Sequence, residues 1–358
     1  MKLTYQVHEV APYINWIYFF HAWNFQPRFA SIADIHGCDA CRAGWLASFP
    51  EADRPKAAEA MQLHKEALRM LNFLDGKLSV EGLFTLFEAN SEGDNLVIYR
   101  DDEILRNHEN HEASGNHEEP ESHENHDGNH EEPENHENHG GNHEGLGNHE
   151  GNSSEAPFRF PLLRQQHTIH PEDPYLCLSD FVRPIETGIR DKVGFFATTV
   201  DTAPASPTTG SGSEDDPYRT MLIQTLADRL AEAGIEKMHQ RIRTSPALWG
   251  YAPLEKLSIP DLLLEKFQGI RPAVGYPSLP DQSVNFLIDE LLDFSRIGIS
   301  LTENGMMHPH ASVSGLMFAH PQARYFSVGK IGEDQLVSYA ERRGFTIEKA
   351  RKFLAANL

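Results

Sequence analysis

The sequence predicts an α+β fold on an antiparallel sheet, and three observations carry that expectation. Runs with helical periodicity and short apolar strand runs mix without a βαβ rhythm, which argues against a doubly wound parallel sheet. One hairpin is explicit, because "GLFTLFEAN" and "NLVIYRD" flank the turn "SEGD". A third strand, "VGFFATTV", is apolar throughout and reads as buried between neighbours.

Taken in order, residues 1–50 are aromatic-rich and read as irregular. A helix is expected over 56–74, followed by the hairpin. Residues 107–155 then repeat Asn-His-Glu with a single leucine, Leu146, and cannot bury enough apolar surface to offset chain entropy. They are expected to be a disordered insertion. Folded sequence resumes at "FRFPLLRQQ" and "YLCLSDFVRP".

A second loose segment, 202–216, is expected to be flexible and leads into the longest helix. There Asp216 is the candidate N-cap, Pro217 the first helical residue, and Leu222, Leu226, Leu230, Ile235, Met238 and Ile242 the buried stripe. "VNFLIDELLDF" reads as helix, "ASVSGLMF" and "RYFSVGK" as strands, and 333–343 and 346–356 as helices with Gly344 as the C-cap between them. Both loose segments sit between elements that share one core, so one domain over 1–358 is expected.

The 358 residues are 39% hydrophobic and 23% charged, an ordinary globular composition. The net charge of −22 is unevenly spread, because 107–155 holds fourteen acidic residues and no Lys or Arg, which leaves −8 for the rest. Without a basic stripe or aromatic platform, nucleic acid is excluded as the main partner. The N-terminal "MKLTYQVHEV" lacks the apolar core of a signal peptide, and "INWIYFF" is too short to span a bilayer. Three cysteines make no disulfide framework. No membrane partner and a cytoplasmic location are expected.

Four groups of residues bear on chemistry. His36, Cys38 and Cys41 in "HGCDACRAG" suit a metal or thiol exchange, but a second ligand pair is missing and the context reads as polar loop, so no metal site is expected there. Asp34 and His36 do not make a cobalamin-ligand motif, since Asp39 stands at its glycine. The ten histidines of 107–155 would bind transition metals weakly by multiplicity, although repeat growth in a tolerated loop explains them as well. Asp228 and Glu232 lie one helical turn apart, a spacing that more often makes a solvated face than an acid–base pair.

The fourth is the loop "FQGIRPAVGYPSLPD". Its prolines fix φ and its glycines open φ > 0, so it reads as neither helix nor strand but as a loop held in one shape. Arg271 offers a planar fork for a carboxylate or phosphate, and Tyr276 an aromatic face with a polar tip.

"QGIRPAVGYPSLPD" also resembles the Arg-Pro-x-x-Gly-Tyr-Pro signature of the activation domain of cobalamin-dependent methionine synthase. "NWIYFFHAW", "NLVIYRD", "LADRLAEA", "LWGYAP" and "LTENGMMHPHASVSGLMFAHPQARYFSVGKIGEDQLVSYAERRG" resemble further blocks of that family, in its order. The resemblance implies a C-shaped single domain with a bent, mainly antiparallel sheet flanked by helices. It implies binding of S-adenosylmethionine and its presentation for reductive methylation of cob(II)alamin, with cobalamin bound by the partner and contacted here. The implied partners are the cobalamin-binding part of a separate methionine synthase chain and a flavodoxin-like reductase.

By the same resemblance Arg271 matches the clamp on the ligand carboxylate, and Ala273 and Tyr276 lie in the same loop. Tyr325 and Phe326 match a pair, commonly two tyrosines, that lines the site. Glu232 and Glu265 match acidic positions near the ligand, and "HPHASVSG" a loop near the cobalamin. Asn15 departs from the family's aspartate, and "MMHPHAS" from a tryptophan-containing stretch. A homocysteine zinc site, a folate barrel and a cobalamin domain are absent from the sequence, so a reactivating component is implied rather than a complete enzyme. A reactivator of another corrinoid methyltransferase and a metal-binding protein acting through its His tract are the alternatives.

Overall fold

The sheet is organised around one long strand. A computed structural model describes residues 1–100, 157–168, 170, 172–203 and 216–358. The expected insertion at 107–155 and all but the ends of 202–216 lie outside the described residues. Strand β2 (Ser79–Glu92) is fourteen residues long and pairs antiparallel with β1 (Lys2–Gln6) and with β5 (Asp191–Thr199). Strands β3 (Asn95–Tyr99) and β4 (Phe158–Pro161) continue the sheet beyond β2. On the other side β8 (Ser312–Met317) pairs antiparallel with β5, with Phe196 opposite Gly315. Two short strands, β6 (Ser300–Leu301) and β7 (Met307–His308), make a separate ribbon.

Met1–Ile98 and Arg159–Leu358 form one compact unit, in which everything below is found. Of the second unit, Tyr99–Phe158, the described residues are Tyr99, Arg100, Pro157 and Phe158, and the Arg100 guanidinium stands 4.3 Å from the Phe158 ring centre. None of the described helices is long and apolar enough to cross a membrane.

The helices are α1 (Val7–Val10), α2 (Trp16–Ala22), α3 (Asp39–Ala47), α4 (Arg54–Leu74), α5 (Pro217–Thr244), α6 (Ile259–Leu263), α7 (Val284–Leu292), α8 (Glu333–Arg343) and α9 (Ile347–Phe353). Asp216 caps α5 by accepting the Tyr218 N–H at 3.0 Å, and Pro217 opens it as expected. The whole expected stripe of α5 is buried and joins Val80, Phe84 and Phe196 of the sheet in one apolar cluster. At about 25 cal/mol per Å² of apolar surface, such burial is the main term holding helix to sheet. Gly344 ends α8 in the left-handed region at φ 64°, where glycine carries no Cβ penalty.

Two expectations fail. Residues 1–50 are not irregular: they hold β1 and three helices. Strand β1 is specified by its partner, since Leu3 and Tyr5 stand opposite Gly82 and Val80 of β2, and a short local pattern does not show that. "RYFSVGK" forms no strand. Its hydrogen bonds go to a loop, with Phe326 N–H donating to Ser278 Oγ (3.1 Å) and Val328 N–H to the Pro277 carbonyl (2.9 Å).

The 267–281 loop is also tied into the sheet, which its prolines do not suggest. Residues 270–274 line the free edge of β8, with bridges Ile270–Phe318 and Ala273–Gly315. Leu316 N–H donates to the Pro272 carbonyl (3.0 Å) and Val274 N–H to the Ser314 carbonyl (2.9 Å). Gly315 is required there, because a Cβ would lie 2.2 Å from the Pro272 oxygen and 2.8 Å from Phe196 Cζ. Gly315→Ala is therefore expected to cost about 1–3 kcal/mol. The shift of the urea unfolding midpoint at unchanged slope measures it, and a wild-type midpoint would refute the close approach.

Candidate functional site

One cleft of about 510 Å³ opens between α5, the 267–281 loop, the start of α2 and the segment 325–327. The eight residues that the resemblance names as ligand-contacting all line it: Asn15, Glu232, Glu265, Arg271, Ala273, Tyr276, Tyr325 and Phe326. Each comes from a different local cause. Asn15 is the N-cap of α2, its Oδ1 accepting the Ile17 N–H at 3.1 Å. Glu232 projects from α5. Glu265 follows α6 with φ 55°, a left-handed conformation that costs a non-glycine residue about 1–2 kcal/mol. Arg271 and Ala273 alternate with buried Ile270, Pro272 and Val274, the period of a strand.

Arg271 is held from two directions. Its backbone N–H donates to Tyr325 Oη at 3.0 Å, and its guanidinium forms an ion pair with Glu236, both side chains more than four-fifths buried. Arg271 Nε is buried without a hydrogen-bond partner among the described residues. Burial opposes the charge on Arg271, but Tyr325 and the carboxylates of Glu236, Glu265 and Glu232 outweigh it and raise its pKa. Burial also lifts the Glu236 carboxyl above its ordinary range, with Glu265 and Glu232 adding to the rise against the pull of Arg271. Glu232 accepts from Tyr276 Oη (2.9 Å) and from Arg229 (2.7 Å). Burial, then the Glu232 charge, pushes the Tyr276 phenol up to about 12.

Glu236 was not singled out in the sequence. It continues the four-residue acidic spacing of Asp228 and Glu232, and that continuation was the available signal. Asp228 itself makes no pair with Glu232: it meets Gln224 (3.2 Å) and His310 (3.3 Å). Behind the cleft, His239 is fully buried and shares a hydrogen bond with Tyr251 Oη (2.8 Å), while its Nδ1 has no partner among the described residues. Its ring meets Phe267 edge-on at 4.9 Å, and Arg243, fully buried and paired with Glu255, lies over the same Phe267 ring. Gly269, at φ 84°, passes so close to Tyr251 Oη and the Phe318 carbonyl that a Cβ would lie 3.0 and 2.3 Å from them. Sequence reading missed this supporting layer, since its members are spread over 239–267.

His36, Cys38 and Cys41 stand apart from the cleft. Their context is not a polar loop, because Cys38 is the N-cap of α3 and its Sγ accepts the Cys41 N–H at 3.3 Å. The three ligand atoms lie within 4.8 Å of one another. A hydrogen bond with His36, then those from Cys41, holds the Cys38 thiol down to about 7.

The family model described as "Vitamin B12 dependent methionine synthase, activation domain" matches residues 6–127 and 143–344. A solved structure, "Crystal Structure of the MetH Reactivation Domain bound to AdoHcy", superposes with a TM-score of 0.73. It is 30% identical and covers 100% of this chain and 90% of that one. It shares the α+β architecture described above.

Burial, then the charges of Arg243 and Arg271, holds His239 neutral well below its ordinary pKa of 6.5. The unfolded chain protonates that histidine below about 6.5 while the folded chain does not. Its contribution to stability is therefore present above that pH and lost as pH falls. His239→Gln is expected to flatten the acid-side loss between pH 7 and 5, read from urea midpoints. Identical pH profiles for the two proteins would show that His239 titrates normally in the fold.

Proposed function

The chain belongs to the family of activation domains of vitamin B12-dependent methionine synthase, and on that footing we propose that it binds S-adenosylmethionine in the cleft and presents it to a corrin held by the enzyme's cobalamin-binding module. The event is a cytoplasmic reductive methylation of cob(II)alamin, with the electron from a flavodoxin-like reductase. The chain is then a reactivating component rather than a complete catalyst.

The observation that carries this reading is Arg271, a mostly buried guanidinium with an unpartnered Nε on the wall of an acidic cleft. The group it has to fit is a cation bearing one carboxylate. Arg271 supplies a fork for that carboxylate. Glu232, Glu236 and Glu265 against Arg271 leave the lining at −2, which Arg229, paired with Glu232 from beside the cleft, reduces to −1, and that suits a ligand with one net positive charge. Tyr325, Phe326 and Ala273 add apolar wall, and the volume lies in the range of small-molecule sites. The residues present fit.

Bound there, S-adenosylmethionine supplies an electrophilic methyl group. The chain's own contribution is orientation. A methyl displacement is an in-line reaction, so a clamp that wanders loses the advantage of holding reactants in register. Sheet-edge pairing of 270–274 and the Tyr325 bond to the Arg271 backbone restrict that wander. Tyr276, 52% exposed at the mouth, and the 308–312 loop beside Asp228 are the surfaces offered to the corrin.

Calorimetry with S-adenosylmethionine tests the assignment. Arg271→Ala is expected to weaken binding at least about tenfold, since a charge-assisted hydrogen bond contributes about 1.5–3 kcal/mol. Arg271→Lys keeps the charge but not the fork and falls between the two. Thermal melts of both variants separate lost binding from lost folding. No binding by the unmutated chain would overturn the proposal. Asn15→Asp preserves the cap acceptor, adds a negative charge to the cleft and is expected to tighten binding severalfold. Unchanged affinity there would mean that position 15 does not face the cationic part of the ligand.

A further inference from the structure

His36, Cys38 and Cys41 offer one imidazole nitrogen and two sulfurs, all within 4.8 Å of one another. The convergence follows from the local fold. Cys38 takes the N-cap position of α3 with extended backbone (φ −76°, ψ 157°), and Cys41 sits three residues on, in the first turn. The Cys41 N–H bond to Cys38 Sγ (3.3 Å) orients the first thiol over the open end of the helix. His36 reaches the same point from the chain that leads into the helix. Both cysteines are exposed, and the remaining one, Cys177, is fully buried.

We infer that His36, Cys38 and Cys41 form a binding site for zinc(II), with the fourth tetrahedral position left to water or an exogenous ligand. Two sulfurs bound to one tetrahedral zinc at about 2.3 Å stand about 3.8 Å apart, within the spread already present. A zinc ion replacing the two thiol protons leaves the site formally neutral. Two soft sulfurs beside an imidazole select zinc over magnesium or calcium. The neighbouring Arg42 does not oppose this with a free charge, because it reaches Asp39 at 3.6 Å. None of the three ligands lines the cleft, so the site is independent of the function proposed above.

The test uses the full chain, stripped of metal and kept reduced with a phosphine. Cobalt(II) is the probe, because thiolate ligation gives a near-ultraviolet charge-transfer band that the histidines of 107–155 cannot produce. The band is expected to appear, to be displaced by zinc, to weaken in Cys38→Ser and in Cys41→Ser, and to vanish in the double variant. His36→Ala is expected to weaken cobalt binding at least about tenfold. X-ray absorption of the unmutated chain with half an equivalent of zinc is expected to show two sulfurs at about 2.3 Å. This second reading stands even if a variant fails to fold. Absence of the band, its persistence in the Cys38→Ser/Cys41→Ser double variant, or a zinc shell of nitrogen and oxygen alone would overturn the site. So would conversion of the two thiols to a disulfide that excludes the metal under those conditions.

Discussion

The Pro272 carbonyl lies where any side chain at position 315 would stand, and the cleft depends on that contact. Only because β8 carries a glycine there can 270–274 lie against its edge. Once it does, the segment inherits the sheet's order: Ile270, Pro272 and Val274 are buried, and Arg271 and Ala273 face the cleft. Proline suits this edge, since it lacks a donor but its carbonyl still accepts from Leu316. The Arg271 N–H turns instead to Tyr325 Oη, which ties the loop to the 325–327 wall. A single pairing thus sets two sides of the cleft.

What lay open in the sequence was what local periodicity specifies. The α5 stripe, its Asp216-Pro217 start, the hairpin and the Gly344 cap are each decided within a turn or two of chain, and each stands where the pattern puts it. Elements that need a distant partner were illegible. Strand β1 exists because β2 offers it an edge, and 325–330 stays out of the sheet because Ser278 and Pro277 take its donors. Loop 267–281 shows the same limit from the other side. Its glycines and prolines pointed to a fixed shape, but the pairing to β8 involves residues some forty positions later. The cleft residues were found through a shared motif, whereas Glu236 and the His239–Tyr251 layer belong to no contiguous signature.

That supporting layer explains why Arg271 can be both charged and mostly buried. Arg243 and Arg271 lie close enough to His239 to depress its pKa, so a protonated imidazole there would add a third positive charge. Full burial keeps His239 neutral, and its bond to Tyr251 fills a polar position without adding charge. Each arginine then keeps one carboxylate of its own, Glu255 for Arg243 and Glu236 for Arg271. Removing either acid would leave an uncompensated buried cation, which costs more than the pair contributes.

Charge balance also bears on what the cleft holds and what it lets go. Glu236 is paired with Arg271 and Glu232 with Arg229, while Glu265, at the exposed rim, makes no ion pair among the described residues. Two arginines against three carboxylates leave one negative charge. The proposed ligand, S-adenosylmethionine, carries one net positive charge at neutral pH, its ammonium and sulfonium exceeding its carboxylate, so the pair would be balanced. Asn15 caps α2 as an aspartate would, but leaves out the further negative charge that would draw a cationic ligand more tightly. Loss of the methyl group removes the sulfonium and returns the ligand to neutrality. On the proposed function the cleft would then keep an unmatched carboxylate, which would weaken its hold on the demethylated product relative to the donor and favour exchange of one for the other.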